Sequence, residues 1–83
     1  MKIYESGENY LETIFMLEKR KGAVRSIDVA TELGFSKPSV SVAMKHFREN
    51  GYIVMDAEGY ITLTEAGKEI AARIYERHQL LTK

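Results

Sequence analysis

Cysteine is missing from the 83 residues and proline occurs once. Without thiols the chain can hold neither a disulfide nor a Cys-rich zinc site, and a small unstapled chain suits a reducing compartment. No apolar run approaches the roughly 20 residues that a membrane helix requires, and Met1 to Glu5 is too short and polar for a secretory signal. A cytoplasmic protein with no membrane partner is therefore expected. Catalytic signatures are also wanting: there are two histidines, and no G-x-S-x-G elbow, Walker loop or H-E-x-x-H. Glu8 and Glu12 stand one helical turn apart and read as surface, so no enzyme is expected. Net charge is absent too, with 12 Lys and Arg against 12 Asp and Glu.

Nucleic-acid binders are usually basic, but here the two signs are separated along the chain. Up to Glu18 the acids Glu5, Glu8, Glu12 and Glu18 face Lys2 alone, whereas Lys37, Lys45 and Arg48 meet no acid until Glu49. Electrostatic steering depends on the local field at the contacting face rather than on the total.

That basic segment lies in the most informative stretch, Arg25 to Gly51, which reads as two short helices joined by a tight turn. Ser26 is placed as the cap of the first, with Ile27, Ala30 and Leu33 facing the core and Gly34 closing it. Ser36 opens the second, with Pro38 in its first turn, where a missing N–H leaves no bond unmade. Val40, Met44 and Phe47 are spaced to face inward, and Asn50-Gly51 ends the helix. Lys37, Ser39, Ser41, Val42, Lys45, His46 and Arg48 then point outward. Hydroxyls, a valine suited to a thymine methyl and cations for phosphate make a face fitted to a DNA groove, with a plain solvated face as the competing reading.

On either side, Tyr10, Leu11, Ile14, Phe15 and Leu17 recur at helical spacing, so a first helix is expected from Ser6 or Glu8. Lys19, Arg20, Lys21 and Gly22 supply a dipole-matched, left-handed stop, with phosphate contact as the competing role of the cations. From Tyr52 the period becomes two: Ile53 and Met55, a turn at Asp56-Ala57-Glu58-Gly59, then Tyr60 to Leu63 make a hairpin that must pack on the helices. Its acidic tip predicts poor contact with phosphate. Thr64 caps a last helix with Ala66, Ile70, Ala71 and Ile74 inward, and Gly67 inside it predicts a close backbone approach. Leu80 and Leu81 have no following element to pack against, so the natural chain is expected to continue, a frayed end being the alternative. The expected fold is mainly α with a small β-hairpin, a winged helix-turn-helix in the order α-α-α-β-β-α, occupying residues 1–83 as one domain.

Asn9 and Glu12 share a face of the first helix, and a histidine crossing on the last helix would complete an oxygen and imidazole set suited to manganese or ferrous iron. A surface histidine is the competing reading.

The runs N-Y-L-E-T-I-F-M-L-E, V-A-T-E-L-G-F-S-K-P-S-V-S, L-T-E-A-G-K and R-H-Q-L-L, which together span nearly the whole chain, resemble the DNA-binding domain of the iron- and manganese-dependent repressors, the DtxR/MntR family. The resemblance implies a homodimeric repressor that binds operator DNA when loaded with Fe2+ or Mn2+. It implies metal ligands at Asn9, Glu12 and His78, with others in a dimerisation domain outside these residues. Asn9 departs from the family, which has Asp there in manganese members and Met in iron members. On this reading Ser36, Lys37, Pro38, Ser39 and Val42 approach bases, Arg25, Lys45 and Arg48 hold phosphates, and Ser41 belongs to the same DNA-binding face. A metal-independent regulator and a winged helix used as a protein-interaction module are the alternatives, the latter suggested by zero net charge and the acidic hairpin.

Overall fold

The computed structural model describes the backbone of residues 5–81 and the side chains of residues 9–77. Its order is α1 (Glu5–Lys21), β1 (Val24–Arg25), α2 (Ser26–Leu33), α3 (Lys37–Glu49), β2 (Ile53–Met55), β3 (Tyr60–Leu63) and α4 (Glu65–Leu81). The winged helix-turn-helix is as expected, with one addition. The hairpin is part of a three-stranded antiparallel sheet of order β1-β3-β2, in which Val24 pairs with Ile61 and Arg25 with Tyr60. A two-stranded ribbon is marginal in water, and the third strand supplies its missing support.

One core joins all the elements. Leu11, Ile14 and Leu17 of α1 meet Val29 and Ala30 of α2, Val40, Met44 and Phe47 of α3, the sheet residues Val24, Ile53, Ile61 and Leu63, and Ala71 of α4. Tyr10 is the aromatic hinge of this core, packing edge to face on Phe35 at 5.6 Å and on Phe47 at 6.0 Å. Phe15 is only half-buried and instead packs against Tyr75 of α4, with ring centroids 5.7 Å apart. Burial raises the Glu18 carboxyl above its ordinary range, partly countered by Lys68 and by the Leu63 backbone N–H.

Four local expectations are corrected. Helix α1 begins at Glu5, slightly ahead of the expected start at Ser6 or Glu8. Ser26 is the first residue of α2 rather than its cap. The cap is Arg25, held extended at φ −120° and ψ 166° by its pairing in β1, and the Asp28 carboxylate accepts from its backbone N–H at 2.9 Å. Ile27 is 43% exposed while Val29 is fully buried. The two positions lie about 200° apart round a helix, so a face centred on Val29 and Leu33 leaves Ile27 outside. Ala66 is likewise exposed, because the inward face of α4 is centred on Gly67, Ala71 and Ile74. Leu80 and Leu81, expected to lack a packing partner, have side chains outside the described residues.

The cations that end α1 are engaged within the fold. Arg20 pairs with Glu32 and Lys21 with Asp28, each at 2.8 Å, while the Lys19 ammonium lies 4.6 Å from the centre of the Phe15 ring and 5.3 Å from that of Tyr75. Such exposed pairs contribute about 0–1 kcal/mol each. Their effect is to join α1 to α2 and α4. The Lys21 ammonium, then the Arg25 N–H, lowers the Asp28 carboxyl below its ordinary range. That contribution to stability is complete above the unfolded carboxyl's pKa and is lost as pH falls through the lowered one.

Candidate nucleic-acid interface

The opening of α3 is built by Ser36. At φ −70° and ψ 150° its hydroxyl oxygen accepts from the Ser39 N–H at 3.4 Å and its own O–H donates to the Ser39 hydroxyl at 2.9 Å. Lys37 and Pro38 form the first turn, and Asn50 closes the far end with its side-chain amide donating to the His46 carbonyl at 2.8 Å. Because the Ser36 O–H donor is spent in the cap while the Ser39 hydroxyl only accepts there, Ser39 is the better-placed hydroxyl donor at this end.

Between these ends Val40, Met44 and Phe47 are buried, and Lys37, Ser39, Ser41, Val42, Lys45 and Arg48 are exposed. Val42 is 58% exposed, an apolar group presented to solvent between polar neighbours. Among the described residues, the ion pairs involve Arg20, Lys21 and Arg73, and none engages Lys37, Lys45 or Arg48. The cations of α3 therefore keep their full charge for an external anion.

Two shallow depressions border this face. Ser26, Ser41, Met44, Lys45, Arg48 and Met55 line one depression, and Ser26, Ile27, Lys37 and Ser41 line its neighbour. Ser26 and Ser41 belong to both. Sequence reasoning misses Ser26 and Met55, since the local pattern gives the first to a cap and the second to the hairpin core; nothing in it brings α2, α3 and β2 together. Arg25 flanks the same region. Its guanidinium lies 4.3 Å from the centre of the Tyr60 ring, directly across the β1–β3 pair.

At the hairpin tip one Asp56 carboxylate oxygen accepts from the backbone N–H groups of Glu58 and Tyr60, each at 2.9 Å. Asp56 therefore shapes the turn as well as charging it.

The second candidate cluster lies on α1 and α4. Asn9 is exposed and Glu12 half-buried, one turn apart. Phe15 against Tyr75 and Glu18 near Lys68 fix α1 and α4 as antiparallel. Glu12 lies one turn before Phe15, and position 78 lies one turn past Tyr75. The His78 side chain lies outside the described residues. Among the described residues no three His, Cys, Asp or Glu side chains converge on one point, and no helix is long and apolar enough to cross a membrane.

Comparison with known proteins is specific. Residues 2–62 match the family model for the iron-dependent repressor N-terminal DNA-binding domain. The chain is 33% identical over 76 residues to the HTH-type transcriptional regulator MntR of Lysinibacillus sphaericus, covering 92% of this chain and 55% of that protein. The MntR of Bacillus subtilis is 34% identical over the same share of this chain and 54% of its own length. The chain thus spans about half the length of the curated relatives it matches. Among solved structures, the adhesin competence repressor AdcR of Streptococcus pyogenes superposes with a TM-score of 0.77 at 22% identity, covering 98% of this chain and 61% of that one. The S. aureus MepR–DNA complex superposes with a TM-score of 0.74 at 19% identity, over 96% and 60%. At such identities these structures establish the shared winged-helix fold.

Proposed function

Since the chain belongs to the iron-dependent repressor family, matching its N-terminal DNA-binding domain, we propose that it is the operator-reading unit of a metal-dependent transcriptional repressor. The observation that carries this reading is the exposed face of α3, where Lys37, Lys45 and Arg48 have no ion-pair partner among the described residues and surround Ser39, Ser41 and Val42. In the major groove the short side chains at the start of α3 would meet base edges, with Val42 against a thymine methyl, while Arg25, Lys45 and Arg48 would hold phosphates. Ser36 and Pro38 would act there mainly by fixing the helix start. A homodimer would set two such helices about one helical turn of DNA apart, or a multiple of it, and so multiply a weak single contact. The setting is the cytoplasm.

A salt titration of binding to duplex DNA tests the reading. Removing one phosphate-holding cation should flatten the slope of log K against log salt by about one unit, so Lys45→Ala and Arg48→Ala should each do so. Unchanged slopes would remove both residues from the interface. No affinity even at about 50 mM salt, where phosphate attraction is strong, would favour a protein-interaction module.

For the metal, Asn9, Glu12 and His78 are the proposed donors. The shared α1 face of Asn9 and Glu12 and the packing of α1 on α4 support this, and a carboxylate, an amide oxygen and an imidazole suit manganese or ferrous iron. The bound ion would supply a charge that joins α1 to α4. Calorimetric titration of the metal-free full-length protein with manganese should give heat that disappears in both Glu12→Ala and His78→Ala. Heat unchanged in the two variants would overturn the assignment and leave a metal-blind regulator.

A further inference from the structure

The hairpin carries an acidic tip, which by charge alone would repel DNA, yet Tyr60, the residue that follows the tip turn, adjoins a phosphate-binding candidate. Arg25 is exposed and faces Tyr60 across the β1–β3 pair, with the two residues directly opposite in register. Side chains directly opposite in an antiparallel pair share one face of the sheet. Here the guanidinium carbon sits 4.3 Å from the centre of the Tyr60 ring, within cation–π distance. The neighbouring Asp28 carboxylate takes no hydrogen bond from the Arg25 guanidinium. The two Asp28 oxygens accept from the Lys21 ammonium at 2.8 Å and from the Arg25 backbone N–H at 2.9 Å. On the other side, Asp56 holds the Tyr60 N–H at 2.9 Å and so fixes the residue that carries the ring.

We propose that Tyr60 is a positioning residue for DNA binding: its ring is the platform on which Arg25 is held extended toward a backbone phosphate, with Asp56 setting the platform's backbone. The inference rests on the DNA-binding reading above and adds to it a role for the wing that does not require its tip to touch DNA. A cation–π contact uses none of the five guanidinium N–H donors as a conventional hydrogen bond, so the fork remains available to a phosphate. A long side chain that is already ordered also loses less rotamer entropy when the phosphate arrives.

The test is a double-mutant cycle on the 83-residue chain, read as affinity for duplex DNA at about 50 mM salt, where phosphate attraction is strong. Tyr60→Leu should weaken binding about two- to five-fold, the range of an exposed cation–π contact, and Tyr60→Phe should retain wild-type affinity because it keeps the ring. In the Arg25→Ala background, Tyr60→Leu should have no further effect. A general loosening of the sheet would weaken binding equally in both backgrounds, and that result would overturn the proposal. Wild-type affinity in Tyr60→Leu would overturn it as well. Failure of the wild-type chain to bind any duplex would instead overturn the DNA-binding reading on which the proposal stands.

Discussion

Gly67→Ala is expected to destabilise the fold and lower its Tm by about 10 °C, although it replaces a poor helix former with the best one. Helix propensity alone favours the change by roughly 1 kcal/mol. Geometry opposes it. A Cβ at position 67 would overlap the Tyr52 carbonyl oxygen, lie 3.0 Å from its carbonyl carbon and press on a Leu63 methyl at 3.2 Å. A flexible side chain could rotate away, but this obstacle is backbone held from several sides. The Tyr52 N–H donates to the Phe47 carbonyl at 2.9 Å, and its carbonyl accepts from the Thr64 N–H at 3.0 Å. The Thr64 hydroxyl in turn donates to the Gly51 carbonyl at 2.6 Å and accepts from the Gly67 N–H at 3.2 Å. Forcing a methyl into such a site costs about 1–3 kcal/mol or more, and a backbone obstacle belongs at the upper end. The net is roughly 2 kcal/mol of destabilisation, which at about 4–8 °C per kcal/mol gives the expected fall in Tm. Thermal unfolding followed by circular dichroism decides the sign. A Tm at or above that of the wild type would mean that the Tyr52 carbonyl yields and propensity wins.

The same residue illustrates how much a sequence discloses by itself. A glycine in the inward stripe of a helix signals close approach, and that signal is local. So are Ser36 with Pro38 and Asn50 with Gly51, whose backbone preferences fix the ends of α3 within the sequence itself. Elements that depend on distant partners are not legible. Strand β1 has two residues, Val24 and Arg25, too few for an alternating pattern, and it exists because Ile61 and Tyr60 lie opposite. Once Arg25 is drawn into the sheet, Asp28 takes over the capping expected of Ser26, and Ser26 lines a depression beside Ser41. Ile27 cannot be oriented for the same reason, since the rotation of α2 follows from how the strand enters it. The proposed interface is thus legible as a set of α3 side chains, but the depressions beside it are not, because Ser26, Ile27 and Met55 come from α2 and β2.

Within the proposed interface, Ser41 is the position where one charge should matter most. Ser41 lines both depressions, with Lys45 and Arg48 around one and Lys37 around the other, and it is exposed. Ser41→Glu should reduce affinity for duplex DNA at least about a hundredfold, since a carboxylate facing phosphate in a close interface costs several kcal/mol. Two effects act together. The new charge repels the DNA backbone directly, and it offers Lys45 one turn along the helix an internal partner in place of phosphate. Stability should hardly move, because an exposed substitution away from caps and core usually shifts it by no more than about 0.5 kcal/mol. An added i, i+4 Glu–Lys pair would, if anything, contribute a few tenths of a kcal/mol. Fluorescence anisotropy with labelled duplex reads the first quantity and thermal unfolding the second. Weakened binding at unchanged Tm locates the interface on this face of α3, and Ser41→Ala serves as the size-matched control that should bind within a few-fold of wild type. If Ser41→Glu binds DNA as the wild type does, the DNA lies elsewhere on the molecule and the functional reading of α3 falls.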